Sequence, residues 1–241
     1  MAEMSLEDKI QRVVDVQEIQ NVASLHEYYH SAMMHKEELE AIWAKKTPGV
    51  SWTNNTDRYE GMESLKKFYV DHLVIDKKRS LETLNKIDPS IKVAPENYGA
   101  GMLWSHMLTT PVIQVAGDGK TAKGIWMSFG HVTGPMGDKM SAMWAYEKYG
   151  IDFAKEDGGW KIWHLHTYVD FYCPTGSVWT DPTKNIASGA GTRVEAEPGG
   201  ADFPEPDKKG VFYKGYNLST VPKMEPKPPV PYYTFSETFS Y

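Results

Sequence analysis

The chain has 241 residues, 26 basic against 32 acidic side chains, 41% hydrophobic and 24% charged residues. That is length for one large domain, or one domain with an extension, and for a core that needs no staples, while the single cysteine, Cys173, excludes an internal disulfide. The N-terminal segment lacks the pattern of a secretory signal, no apolar stretch is long enough to span a bilayer, and no basic stripe marks a nucleic-acid binder. The expectation is a cytoplasmic protein with neither membrane nor nucleic acid as partner.

From Leu6 to about Met34, apolar residues recur at helical spacing (Ile10, Val13, Val14, Ile19, Ala23, Leu25, Tyr29), which predicts a long first helix. Lys36 to Trp43 reads as a second helix that stops before Lys45-Lys46-Thr47-Pro48, since the residue before a proline avoids helical dihedrals. Val50 to Thr53 reads as a short strand, and Glu60-Gly61-Met62-Glu63 opens a third helix to about His72. Between Val74 and Asn97 the sequence is polar and weakly patterned, a loop with some helix.

The period then changes. Met102–Val115, Thr121–Val132, Lys139–Phe153 and Trp160–Tyr172 are strand-like runs separated by turn sequences such as Gly117-Asp118-Gly119 and Asp157-Gly158-Gly159. Helices followed by a meander predict an α+β fold with helices on one face of a curved antiparallel sheet. After Gly176 come nine of the 15 prolines, together with aromatics from Trp179 to Tyr241. Prolines at this density prevent regular elements, whereas disordered tails are poor in aromatics. The division expected is a pocket domain over residues 1–175 and an irregular arm over 176–241, packed on its own or a partner subunit.

Eight Trp, 14 Tyr and 8 Phe accompany 8 His. In Trp160-Lys161-Ile162-Trp163-His164-Leu165-His166-Thr167-Tyr168, strand alternation puts Trp160, Ile162, His164, His166 and Tyr168 on one face, as a pocket wall with polar handles opposite a helix offering His26, Tyr28, Tyr29 and His30. His164-x-His166 with Asp170 is also a partial metal-ligand pattern, but no histidine follows to complete a set, and no metal is expected. His106, early in one strand, and His131, late in the next, fall close together in an antiparallel pair. Imidazoles so placed suit general acid–base chemistry; each taken singly is as readily a hydrogen-bonded structural residue. Tyr59, at the entry of the third helix, is placed to bring a phenol to the same cavity. No nucleophile elbow, P-loop or dinucleotide fingerprint is present.

Four segments in this order resemble the SnoaL-like branch of the nuclear transport factor 2-like superfamily: the helix with Tyr28-Tyr29, the Tyr59-Glu60-Gly61 helix entry, the strand pair from His106 through Ile113-Gln114-Val115-Ala116-Gly117-Asp118-Gly119-Lys120-Thr121-Ala122, and Asp157-Gly158-Gly159-Trp160-Lys161-Ile162. The resemblance covers about residues 6 to 172. It implies a cone in which a bent sheet wraps three helices around an apolar pocket, and a relation to cofactor-free dehydratases, cyclases, isomerases and a formaldehyde-releasing lyase. By the same resemblance Tyr29, Tyr59, His106 and His131 correspond to the catalytic tyrosines and histidines. The aspartate that such dehydratases carry shortly after the helix-one tyrosine is absent here, where His30, Met34 and His35 stand. The expectation is a cofactor-independent lyase acting on a hydroxylated aromatic or polycyclic small molecule, by loss of water or retro-aldol loss of formaldehyde. In it His106, Tyr59, Tyr29, His131 and His166 act chemically, while Trp126, Trp144, His164, Tyr168 and Tyr28 contact substrate in a homodimer or homotrimer. The alternative is a non-catalytic module that binds a small ligand or pairs subunits.

Overall fold

The computed structural model describes residues 4–136, 139–185 and 204–241. Helix α1 (Leu6–Ser31) starts where the Ser5 hydroxyl accepts from the Asp8 N–H, with Glu7 and Asp8 favouring the positive helix start. Its packed face carries Asp15, Ile19, Ala23 and His26, while Ile10, Val13, Val14 and Leu25 are exposed. The packed stripe is therefore half polar. Asp15 is matched by the Lys155 ammonium at 2.8 Å and the Trp160 indole N–H at 3.0 Å.

Helix α2 (His35–Ile42) follows a short turn. Strands β1 (Ser51–Thr53) and β2 (Asp57–Glu60) form a small hairpin. Helix α3 (Met62–Lys66) then runs through a π-helical turn, Lys67–His72, into α4 (Leu73–Ile87). The polar stretch after Val74, expected to be a loop with some helix, is helical throughout as far as Ile87; α4 buries only Leu73, Ser80, Leu81 and Thr83, a face too sparse in apolar residues to stand out in the sequence.

Four long strands follow: β3 (Leu103–Val115), β4 (Thr121–Met136), β5 (Lys139–Glu156) and β6 (Gly159–Pro174). With a last short strand β7 (Lys208–Lys209) they form one seven-stranded sheet in the order β3-β4-β5-β6-β1-β2-β7. The sheet is not wholly antiparallel, because β1 pairs parallel with β6, Trp52 facing Leu165. The architecture is α+β, with the helices on one face of a curved, unclosed sheet. The core between them holds Ile19, Trp43, Leu65, Trp126, Ile151, Phe153 and Ile162.

Two register shifts decide which side chains face that core. One lies where Asp152 faces His164 but Phe153 faces Ile162, so Trp163 is an extra residue on β6. Trp160 and Ile162 therefore face the helices, whereas His164, His166 and Tyr168 fall on the opposite, outer face with Asp152, Gly150 and Lys148. The uniform alternation expected along Trp160–Tyr168 is broken by that bulge.

The outer face is covered by residues of the arm. Gly117 and Asp118 donate to the Tyr232 and Tyr233 carbonyls. Tyr213 donates to Asp170 at 2.6 Å, and Tyr241 buries its ring against Ile125 and Tyr168. Phe203 lies outside the described residues.

Candidate active site

Helix periodicity brings His26 and His30, one turn apart on α1, to the sheet, and the α1–α2 turn adds His35. His106 comes from β3, on whose inner face it is followed by Leu108. On β5 the residues in register with this face are Ala145, Glu147 and Tyr149. The result is a cluster of four imidazoles, His26, His35 and His106 buried and His30 half-buried. Ring centroids are 5.8 Å apart for His26 and His30, 5.0 Å for His30 and His35, and 5.4 Å for His30 and His106. Trp104, 5.3 Å from His30, and Tyr69, 5.8 Å from His35, close its sides.

The four rings fall into two chemical kinds. His106 Nδ1 is 2.9 Å from Oε2 of Glu147, and this carboxylate also accepts the Tyr149 hydroxyl at 3.1 Å and the Tyr172 hydroxyl on its other oxygen. Burial opposes both charges, but their mutual attraction outweighs it. His106 is pushed up to about 9, and Glu147 is held below the usual carboxylate range by His106 and the two phenols. His26 is likewise raised against burial by Glu38, whose Oε1 is 2.8 Å from its Nδ1 and also accepts the Trp43 indole N–H at 2.8 Å.

His30 and His35 have no carboxylate. They bond to each other, Nδ1 to Nε2 at 3.0 Å. Burial drives His30 well below its ordinary value, reinforced by the neighbouring imidazoles, and brings His35 down to about 3 with help from Lys77. In the tautomer that puts the His35 proton on Nδ1, one donor and one acceptor meet between the two rings. His35 Nε2 is then the acceptor, His30 Nδ1–H the donor, and His30 Nε2 an available base. The His106–Glu147 and His26–Glu38 pairs thus flank the His30–His35 imidazole pair. Glu27, beside His26 at 3.8 Å, is pushed up to about 7 by burial.

Of the residues singled out in the sequence, His106 lies in this cluster, and Tyr29 is half-buried against the core on the same helix. The others lie elsewhere. Tyr59 stacks on Phe68 and donates to the Pro204 carbonyl at 3.0 Å. His131 pairs with Ser105 and Trp144, one residue out of step with His106, and so occupies the outer face with Trp144, which stacks on Phe129. His164 and His166 are outer-face residues too, the first 2.9 Å from Asp152 and the second stacked on Tyr168. Trp126 is inner core, its indole N–H donating to Gln20 at 3.1 Å, and Tyr28 is 76% exposed. Sequence reasoning missed Glu147, Glu38, Glu27, Tyr149 and Tyr172. The signal for Glu147 is faint, a carboxylate in step with the inward residues of a strand; the His26–His30–His35 spacing is the more readable one.

No group of three or more metal-ligating side chains with metal-holding geometry occurs among the described residues. Nor is any described helix long and apolar enough to cross a membrane.

The sequence profile of the SnoaL-like domain matches residues 11–166. The chain belongs to this family. The matched span holds all four clustered histidines and Glu147 and ends within β6, before Tyr172. Solved structures similar to this SnoaL-like protein include a protein of unknown function from Mycobacterium tuberculosis, 14% identical over 79% of this chain and 87% of that one (TM-score 0.48). A hexachlorocyclohexane dehydrochlorinase from Novosphingobium barchaimii is 15% identical over 70% and 96% (TM-score 0.47). An NTF2-like protein from Novosphingobium aromaticivorans is 12% identical over 70% and 91% (TM-score 0.43). No curated protein sequence matches the chain.

Proposed function

We propose that this SnoaL-like protein is a cofactor-independent lyase acting on a hydroxylated aromatic or polycyclic small molecule, with His106 as general acid and His30 as general base. The observation that carries the reading is the 5.4 Å approach of two imidazoles whose surroundings drive their proton affinities in opposite directions. At neutral pH His106 holds a proton because Glu147 is anionic, and its Nε2–H is the proton to be given. His30, beside that cation, stays neutral and takes one.

In a dehydration, His30 removes a proton from carbon, its electron pair forms the new double bond, and His106 protonates the departing hydroxyl as water. In a retro-aldol cleavage, His30 removes a hydroxyl proton, the carbon–carbon bond breaks to release formaldehyde, and His106 protonates the carbanion. Either sequence leaves His30 charged and His106 neutral, and a proton returned between them resets the pair. Positioned acid–base groups contribute roughly 10²–10⁴-fold each to such steps. Tyr149 and Tyr172 hold Glu147 in place by donating to its carboxylate.

The test is turnover of dilignol, polyketide-like and steroid panels by the purified protein without added cofactor, read by product mass. Loss of water or of formaldehyde, abolished in His106→Asn and His30→Asn with folding intact, is the expected result. Ligand binding with no turnover, unchanged in both variants, would establish the non-catalytic reading instead.

A further inference from the structure

A cavity of about 350 Å³ lies on the opposite side of the sheet from the histidine cluster, between the outer face and the arm. Its sheet-side wall is Thr53, Arg58, His166 and Tyr168, and the arm closes it with Phe212, Phe239 and Tyr241. The volume falls within the range of small-ligand pockets.

His166 is the feature that needs explaining. It is only 7% exposed, and its Nε2 has no hydrogen-bond partner among the described residues. With its one proton on Nδ1, on the side of the Asn54 backbone, a neutral His166 has its lone pair on the unpartnered Nε2. Burial first, and then the Arg58 guanidinium, hold the ring at about 3, so it does not meet its need by protonation. An unsatisfied buried acceptor carries a desolvation cost that a donor entering the cavity removes. The ring is fixed by stacking on Tyr168, centroids 3.7 Å apart.

Arg58 supplies the complementary charge. Its Nε is 3.0 Å from Glu60, and Glu60 is shared with Lys208 at 2.8 Å, so one carboxylate serves two cations. Glu225 and Lys227, also in the wall, add one charge of each sign. The cavity thus joins an obligate acceptor, a cation in excess and aromatic walls.

We propose that this outer-face cavity is a binding site for a small aromatic carboxylate that carries a hydroxyl, the carboxylate meeting Arg58, the hydroxyl donating to His166 Nε2, and the ring packing among Tyr168, Phe212 and Tyr241. The site is separate from the histidine cluster and does not depend on the lyase reading.

Calorimetric titration of the full chain with para-hydroxybenzoate, benzoate and phenol tests it. Saturable binding of para-hydroxybenzoate is expected, weaker by about tenfold for either fragment, each of which lacks one of the two polar contacts. His166→Phe keeps the stacking and removes the acceptor; Arg58→Met removes the cation. Each should weaken para-hydroxybenzoate by about tenfold or more, with an unchanged circular dichroism spectrum certifying the fold. His106→Asn should leave binding unchanged. No saturable binding to the wild-type chain overturns the proposal, as does binding that survives both outer-face variants or is lost in His106→Asn.

Discussion

His106 and Glu147 meet across an intervening strand, Nδ1 to Oε2 at 2.9 Å. Strand β4 lies between them, and the residue it sets opposite His106 is Gly130. A Cβ on Gly130 would stand 1.9 Å from the Ser105 carbonyl oxygen, so the close approach of β3 requires glycine there. The dyad rests on a bare patch of backbone as much as on its own two side chains.

Replacing Glu147 by Gln removes the larger of the two charges that raise His106 and leaves burial opposed only by the weaker pull of Glu27. The imidazole titration, followed by NMR, should move from about 9 to below its ordinary 6.5. Breaking a buried pair costs about 3–5 kcal/mol, and activity at neutral pH should fall with the lost acid. An unmoved titration would show that Glu147 does not set the charge of His106.

The raised groups fix the sign of the pH dependence. His106, raised from 6.5 to about 9, contributes stability that is present below pH 6.5 and lost as pH rises through about 9. Glu27 is a carboxyl raised from 4.5 to about 7, so the folded state holds its proton more tightly, and stability falls as pH climbs through that window. Glu27→Gln should therefore be more stable than the wild type in urea at about pH 8 and lose that advantage near about pH 5. An equal advantage at both values would mean that Glu27 does not titrate as its burial dictates.

The sequence displayed the order of elements well and the site poorly, for identifiable reasons. The hairpins of β3 to β6 were legible because their turns carry glycine and aspartate at positions such as Asp157-Gly158. The packed face of α1 was not, because Asp15 and His26 occupy it while Val13 and Leu25 look outward. His164, His166 and Tyr168 were assigned to the helix side because alternation was extended through Trp163, where the extra residue reverses it. Glu147 was invisible because a charged residue in a strand reads as solvent-facing until its partner on another strand is known.

A fully buried Lys123 pairs with Asp152 at 2.5 Å, and Asp152 also accepts from Ser240 at 2.8 Å and the Tyr241 N–H at 3.1 Å. The ammonium lies 4.6 to 5.0 Å from the ring centroids of Phe235, Phe239 and Tyr241. Asp152→Leu should destabilise by roughly 3–5 kcal/mol because it leaves a buried cation unpaired. Lys123→Met with Asp152→Leu should recover much of that loss in urea unfolding, and a double variant as unstable as the sum of the singles would deny the coupling.

The hold of the arm on the outer face can be tested at one glycine. Gly150 faces outward on β5, and a Cβ there would fall 2.5 Å from Cδ1 of the Tyr241 ring and 3.0 Å from Tyr168. Tyr241 is tethered there by its hydroxyl, which donates to the Lys227 carbonyl at 2.8 Å. Gly150→Val should lift the segment from Phe235 to Tyr241, quicken its limited proteolysis, and change Trp163 fluorescence, since Phe235 lies 4.6 Å from that indole. Gly176→Ala, where an added Cβ meets nothing within 4 Å, is the matched control. Wild-type proteolysis and fluorescence in Gly150→Val would mean that Tyr241 does not occupy this position in solution, and with it the arm side of the outer-face cavity would be lost.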